Sequence, residues 1–152
     1  MGPKEKKKSD STVSPTQKMI CIVGPVRSNN SLLAVFLERE IGAKCQVLES
    51  LGDIPKRDDE NTEQATLVLW DCFGKNVENC FIEYRVNENG IIREDFLVLF
   101  NISSGLGFEK RIMDCGVHGF FYIHDSLEQM AKGVRAIFNG ELWISRKIMA
   151  ES

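Results

Sequence analysis

Short, unbroken apolar runs alternate along this chain with longer stretches in which apolar positions recur every three or four residues. Met19-Ile20-Cys21-Ile22-Val23 is apolar throughout and stops at Gly24-Pro25, which predicts a strand buried on both faces. Leu33, Leu37 and Ile41 then recur every four residues with Phe36 beside them, and Gly42 closes the predicted helix. Ser28, Asn29 and Asn30 offer caps for its start. Residues 45–48 read as a short second strand, residues 50–64 as a polar, acidic loop or weak helix, and residues 66–70 as a third strand.

The second half repeats the pattern. Residues 76–84 suit a helix and Asn89-Gly90 marks a turn. Phe96-Leu97-Val98-Leu99-Phe100 predicts a fourth strand, Phe108, Ile112 and Cys115 space a helix closed by Gly116, and Gly119-Phe120-Phe121-Tyr122-Ile123 predicts a fifth strand. Ser126 with Gln129 forms a capping box. Leu127, Met130, Ala131, Val134, Ile137 and Phe138 then line one helical face that ends at Gly140.

Five apolar strands alternating with helices imply an α/β fold: a parallel sheet with helices on both faces. Right-handed crossovers make the flavodoxin-like order 2-1-3-4-5 the economical arrangement. Ligands and chemistry in such a sheet gather at the carboxyl ends of the strands. Here those ends carry Gly24, Pro25, Asp71, Asn101 and Ile123.

The composition, 43% apolar and 27% charged over 152 residues, fits one domain able to bury a core. No apolar run approaches the roughly 18 residues of a membrane span. No secretory signal precedes residue 19, so the expected location is cytoplasmic. Residues 1–18 hold five lysines against Glu5 and Asp10, a net +3, and read as a disordered basic tail; the remainder, with 14 basic and 20 acidic side chains, carries −6. An acidic body argues against nucleic-acid binding by the folded part itself. Cys21, Cys45, Cys72, Cys80 and Cys115 lack the paired spacing of a zinc site and read as reduced thiols.

The strand-end residues carry a specific resemblance. Leu67-Val68-Leu69-Trp70-Asp71 and Gly116-Val117-His118-Gly119-Phe120-Phe121-Tyr122, set in a chain of this pattern from about residue 19 to 149, resemble the receiver domains of bacterial response regulators, the CheY-like fold. Family receivers place two acids after the first strand, a phospho-acceptor aspartate after the third, Thr or Ser after the fourth and Lys after the fifth. Residue by residue, the resemblance keeps only Asp71, as a vestigial acceptor. Gly24 and Pro25 stand at the acidic pair and Asn101 at the hydroxyl, with Ser103 and Ser104 just beyond. Ile123 stands at the lysine, followed by His124. Phosphoryl transfer relies on a metal and cationic groups to neutralise the equatorial oxygens. Mg²⁺ is accordingly not expected, and Asp71 reads as a carboxylate satisfied by backbone donors.

Two other patterns carry less. Gly105-Leu106-Gly107 lacks the third glycine and the strand-to-first-helix setting of a dinucleotide loop, so it reads as a tight turn. His118 and His124 have no nucleophile elbow or triad-like company and read as turn or surface residues.

After the fifth helix comes Gly140-Glu141-Leu142-Trp143-Ile144-Ser145-Arg146. Trp143-Ile144-Ser145-Arg146 is similar to the W-[FLM]-[TS]-R signature of the CsgD/VpsT subgroup of LuxR/FixJ-type transcription regulators. There the signature implies recognition of cyclic di-GMP, often beside a degenerate phosphorylation site. Ile144 departs from the usual second residue but keeps its apolar character. Arg146 suits stacking on guanine while donating to phosphate, Ser145 suits a phosphate oxygen, and Trp143 suits either stacking or packing.

The resemblance thus implies a receiver-like domain over residues 19–141 and, over 142–152, the start of a sixth helix or linker toward a helix-turn-helix. DNA contact would belong to that module, which is absent from this chain. The expected role is a switch controlled by cyclic di-GMP or by homodimerisation, neither an enzyme nor a membrane protein. The alternatives are an aspartate-phosphorylated receiver and a constitutive dimerisation module.

Overall fold

The computed structural model describes residues 17–55, 64–75, 96–103, 109–114 and 116–144. Its elements run β1 (Gln17–Val23), α1 (Arg27–Ile41), β2 (Lys44–Leu48), a 3-10 turn (Leu51–Asp53), β3 (Gln64–Asp71), β4 (Phe96–Ile102), α2 (Glu109–Asp114), β5 (Gly119–Tyr122) and α3 (Leu127–Phe138). The strands form one parallel sheet in the order β2-β1-β3-β4-β5, as the pattern predicts. The segments 76–84, Asn89-Gly90 and Gly105-Leu106-Gly107, with Ser104, Cys80 and Cys115, lie outside the described residues.

The strands are apolar on both faces because both are covered. Ile20, Ile22, Leu67, Leu69, Val98, Phe100 and Phe121 meet Leu33, Ala34 and Leu37 of α1 and Met130, Ala131, Val134 and Ile137 of α3. Cys21, Val23, Val68, Trp70, Leu97, Leu99 and Phe120 form the opposite face with Leu51, Ile54 and Val117. This period-2 division places successive residues of each strand in separate cores.

Helix ends follow their local chemistry. Gly42 adopts φ 81° and donates its N–H to the Glu38 carbonyl, closing α1. At α3 both halves of the capping box form, Gln129 N–H to Ser126 Oγ at 3.1 Å and Ser126 N–H to Gln129 Oε1 at 3.0 Å. Among the described residues no helix is long and apolar enough to cross a membrane.

Several expectations need correction. β1 begins at Gln17, because Gln17 and Lys18 pair with Gln64 and Ala65, so the basic tail gives way to sheet two residues early. None of Ser28, Asn29 and Asn30 caps α1; Val26 holds that position without a side-chain bond. Leu127 is exposed, since it opens α3 ahead of the turn that reaches the sheet. Of the segment 142–152, expected as the start of a sixth helix or a linker, only Leu142, Trp143 and Ile144 are described; they are non-helical, and Trp143 makes a parallel bridge with Gly119. Cys21 and Cys72 are buried and Cys45 is half-buried. Burial and the neighbouring Glu38 carboxylate push the Cys45 thiol up to about 12, with a smaller push from Cys21, so it stays protonated and unreactive.

Candidate functional site at the carboxyl ends of the strands

Parallel register carries β1 and β3 to the same level. Val23 sits beside Trp70, so the next residues, Gly24 and Asp71, emerge together where the strand order reverses. Asp71 is only 5% exposed. Its Oδ1 accepts the Phe73 N–H at 2.9 Å and the Asn101 side-chain amide at 3.0 Å. A backbone donor two residues on is the usual aspartate turn, and it satisfies part of a buried charge that would otherwise be costly.

Asn101 reaches Asp71 through a backbone irregularity. The β4–β5 register shifts between Leu99 and Ile102, and Asn101 takes φ 62°. Asparagine tolerates this left-handed conformation better than most residues, and the bulge re-aims its side chain toward the carboxylate. The position where family receivers carry a hydroxyl therefore holds an amide donor already bonded to Asp71.

Gly24 explains why no acid stands opposite. A β-carbon there would lie 2.7 Å from Asp71 Cβ, 2.9 Å from Asn30 Nδ2 and 3.1 Å from Asp71 Oδ2. The space in which a side chain would begin is taken by Asp71 and Asn30. Among the described residues no three His, Cys, Asp or Glu side chains converge as metal ligands.

Asn30 is the residue that sequence reasoning misjudged. It is 2% exposed, and its Nδ2 has no hydrogen-bond partner among the described residues. An unbonded buried donor costs roughly 1–3 kcal/mol, so the position is a strained one. The signal was present in the spacing: Asn30 stands at i−3 and i−4 from Leu33 and Ala34, on the same face as Leu37, so it belongs to the buried stripe.

Other strand-end residues have local partners. Ile123 is 49% exposed and donates its N–H to the Ile102 carbonyl at 3.0 Å. Ser103 is exposed. His124 stacks on the Tyr122 ring, centroids 5.8 Å apart, while the Tyr122 hydroxyl donates to buried Glu109 at 3.4 Å. The Lys75 ammonium lies 5.1 Å from the Trp70 ring centroid.

The C-terminal motif divides. Ser145 and Arg146 lie outside the described residues. Trp143 donates its N–H to the His118 carbonyl at 3.0 Å and accepts the Phe120 N–H at 3.1 Å, extending the sheet beside β5. Its side chain is half-buried against the α1–α3 core, with the ring 6.4 Å from that of Phe121. Ile144 packs against the opposite core, the alternation of an extended strand. Gly133 makes room: a β-carbon there would meet the Phe121 ring at 2.6 Å and Trp143 Cδ2 at 2.9 Å.

His118 joins this segment to β4. Its backbone N–H donates to the Leu97 carbonyl at 2.8 Å, and its Nδ1 accepts the Leu97 N–H at 3.3 Å. Its ring meets Phe96 edge-on at 5.1 Å. Burial lowers its pKa from the usual 6.5, since the charged form is disfavoured and Nδ1 would lose its acceptor role. A depressed folded value means that the unfolded chain binds the proton more readily. Its stabilising contribution is therefore complete above pH 6.5 and declines as pH falls through 6.5 toward the lowered folded value. Urea midpoints should drop between neutral and mildly acidic pH, and His118→Gln should flatten part of that slope; parallel pH profiles for the two proteins would refute the assignment.

The sequence matches no protein-family model and no curated protein. Solved structures do share its fold. The regulatory domain of the master biofilm regulator CsgD superposes with a TM-score of 0.69 at 15% identity, covering 89% of this chain and 97% of that one. A LuxR family DNA-binding response regulator from Silicibacter pomeroyi gives 0.58 at 15% identity, over 86% of this chain and 98% of that one. The response regulator ChrA of a heme-sensing two-component system gives 0.57 at 9% identity, over 89% of this chain and 63% of that one. The fold is that of the receiver-like regulatory domains of the CsgD and LuxR type.

Proposed function

We propose that this chain is the signal-input domain of a LuxR/CsgD-type transcription regulator, switched by ligand binding or dimerisation and not by ordinary aspartyl phosphorylation. The observation that carries the reading is the occupied space at Gly24. Asp71 and Asn30 fill the place where a family receiver would bring acids to hold a divalent cation. Asp71 Oδ1 is meanwhile engaged by Phe73 and Asn101. Among the described residues no group of acids gathers to hold a metal, and Ile123 stands at the position of the lysine, so little beside this carboxylate would neutralise an incoming phosphoryl group. Incubation with acetyl phosphate and Mg²⁺ should leave the intact mass unchanged; an adduct that Asp71→Asn removes would refute the reading.

Cyclic di-GMP is the ligand we propose, on the sequence Trp143-Ile144-Ser145-Arg146. Arg146 would stack on guanine and donate to phosphate, and Ser145 would donate to a phosphate oxygen. The ligand's approximate two-fold symmetry would let it bridge two copies of the domain. Contact with DNA would belong to a helix-turn-helix on the C-terminal side. Calorimetric titration of the full chain with cyclic di-GMP should show binding that Arg146→Ala reduces at least tenfold, consistent with loss of a charge-assisted pair. Absence of heat at high ligand concentration would leave dimerisation as the controlling event.

A further inference from the structure

We infer that the outer edge of β2 is the surface on which a second copy of this chain docks, joining two sheets antiparallel across a two-fold axis at Gln46. This names a surface for the dimerisation invoked in the proposed function, and it rests on that reading only for its role in signalling. Among the described residues β2 pairs with β1 alone, whereas the edge of β5 already receives Trp143. Backbone groups of a strand alternate between its two sides. The Gly24 N–H bonds to the Leu48 carbonyl at 2.9 Å, so Lys44, Gln46 and Leu48 address β1 while Cys45 and Val47 address the outside. Cys45 agrees with this: its N–H donates to Glu38 Oε2 of α1 at 3.0 Å.

The flank suits a copy of the same strand. An antiparallel pair of these five-residue strands overlaps completely when the middle residue, Gln46, meets itself. Cys45 then faces the partner's Val47, and each such pair exchanges both of its backbone bonds. Lys44 and Glu49 are exposed at opposite ends of the strand. An antiparallel copy brings each lysine to the end where the partner carries its glutamate, so the charges complement one another. Glu38 ties its flank of α1 to the edge, and Val35, one turn away on that flank, is 55% exposed with Leu32 beside it at 72%. Joined sheets set this apolar flank against its own copy. Glu38 is the guard of the free edge, because its carboxylate holds the outward Cys45 N–H that the partner's Val47 carbonyl would take. Pairing displaces that carboxylate, which keeps the contact reversible and therefore usable as a switch.

Sedimentation velocity of the full chain over a range of concentrations should show a monomer–dimer equilibrium. Val47→Pro removes an outward N–H and none that bonds β1, so it should weaken the dimer by about tenfold or more with the circular dichroism spectrum unchanged. Lys44→Glu should weaken it about fivefold, and adding Glu49→Lys should restore it, a rescue that lost folding would not permit. Glu38→Ala frees the edge and should strengthen the dimer about fivefold. Gln46→Cys should form an intermolecular disulfide under oxidised glutathione, since residues facing each other without exchanging bonds have Cα atoms about 4.5 Å apart. A chain that stays monomeric at every concentration, or a dimer indifferent to Val47→Pro and to the charge exchange, would overturn the edge. Either failure leaves the acetyl phosphate and cyclic di-GMP tests of the proposed function untouched, because none of the varied residues belongs to the Asp71 site or to Trp143–Arg146.

Discussion

Gly24→Asp, which places an acid where the receiver domains this chain resembles carry one, is expected to cost about 4 kcal/mol of stability and to bind no Mg²⁺ in return. Two effects add. The new β-carbon would stand 2.7 Å from Asp71 Cβ and 2.9 Å from Asn30 Nδ2, so strand and helix must separate. Overpacking of this kind costs about 1–3 kcal/mol. The second carboxylate would then be buried beside Asp71, itself 5% exposed, with like charges in a poorly solvated place. Gly24→Ala separates the two effects, since it carries the steric cost alone and should lose roughly half as much. Urea denaturation of both variants, with and without Mg²⁺, is the measurement. A Gly24→Asp protein of wild-type stability whose midpoint rises with Mg²⁺ would show that the crevice can open to hold a cation, and the proposed function would fall with it.

The same residue shows where sequence reasoning succeeds and where it stops. The five strands and their order follow from apolar runs and right-handed crossovers, because burial on both faces leaves an unbroken hydrophobic signature. Gly24, Asp71 and Asn101 were placed together by topology alone. Their contacts were not. That Asn101 reaches Asp71 depends on a register shift between Leu99 and Ile102 and on a positive φ, neither of which has a strong sequence signal. Asparagine favours a cap position, yet the spacing of Asn30 with Leu33 and Leu37 puts it in the buried stripe. Periodicity outweighed the intrinsic preference of one side chain. For residues 142–152 the resemblance implies the start of a sixth helix or a linker, and at 142–144 pairing with Gly119 at the edge of β5 draws the segment out. An edge strand with unpaired backbone groups is a strong local attractor, and its effect lies in tertiary structure rather than in the segment's own sequence.

Trp143→Ala is expected to destabilise the ligand-free protein by about 2 kcal/mol, less than the 3–5 kcal/mol of a fully buried aromatic because the ring is only half-buried. The loss comes from contacts with Phe121 and the space opposite Gly133. Trp143→Phe should retain most of the stability, since a smaller ring still fills part of that space. Chemical denaturation should show a lower midpoint with unchanged slope. Hydrogen exchange should show faster loss at the Phe120 N–H, which bonds the Trp143 carbonyl, and at the Trp143 N–H, which bonds the His118 carbonyl. Unaltered midpoint and exchange would mean that the ring serves only a ligand. The packing also bears on how a signal would be transmitted. A nucleotide seated against the exposed side of Trp143 would bind best when residues 142–144 are docked along β5, and by linkage it would stabilise that docked form. Acid pH, acting on His118 at the same junction, would favour release. Ligand and proton would then push the C-terminal segment in opposite directions, and cyclic di-GMP should restore at neutral pH part of the exchange protection that Trp143→Phe loses.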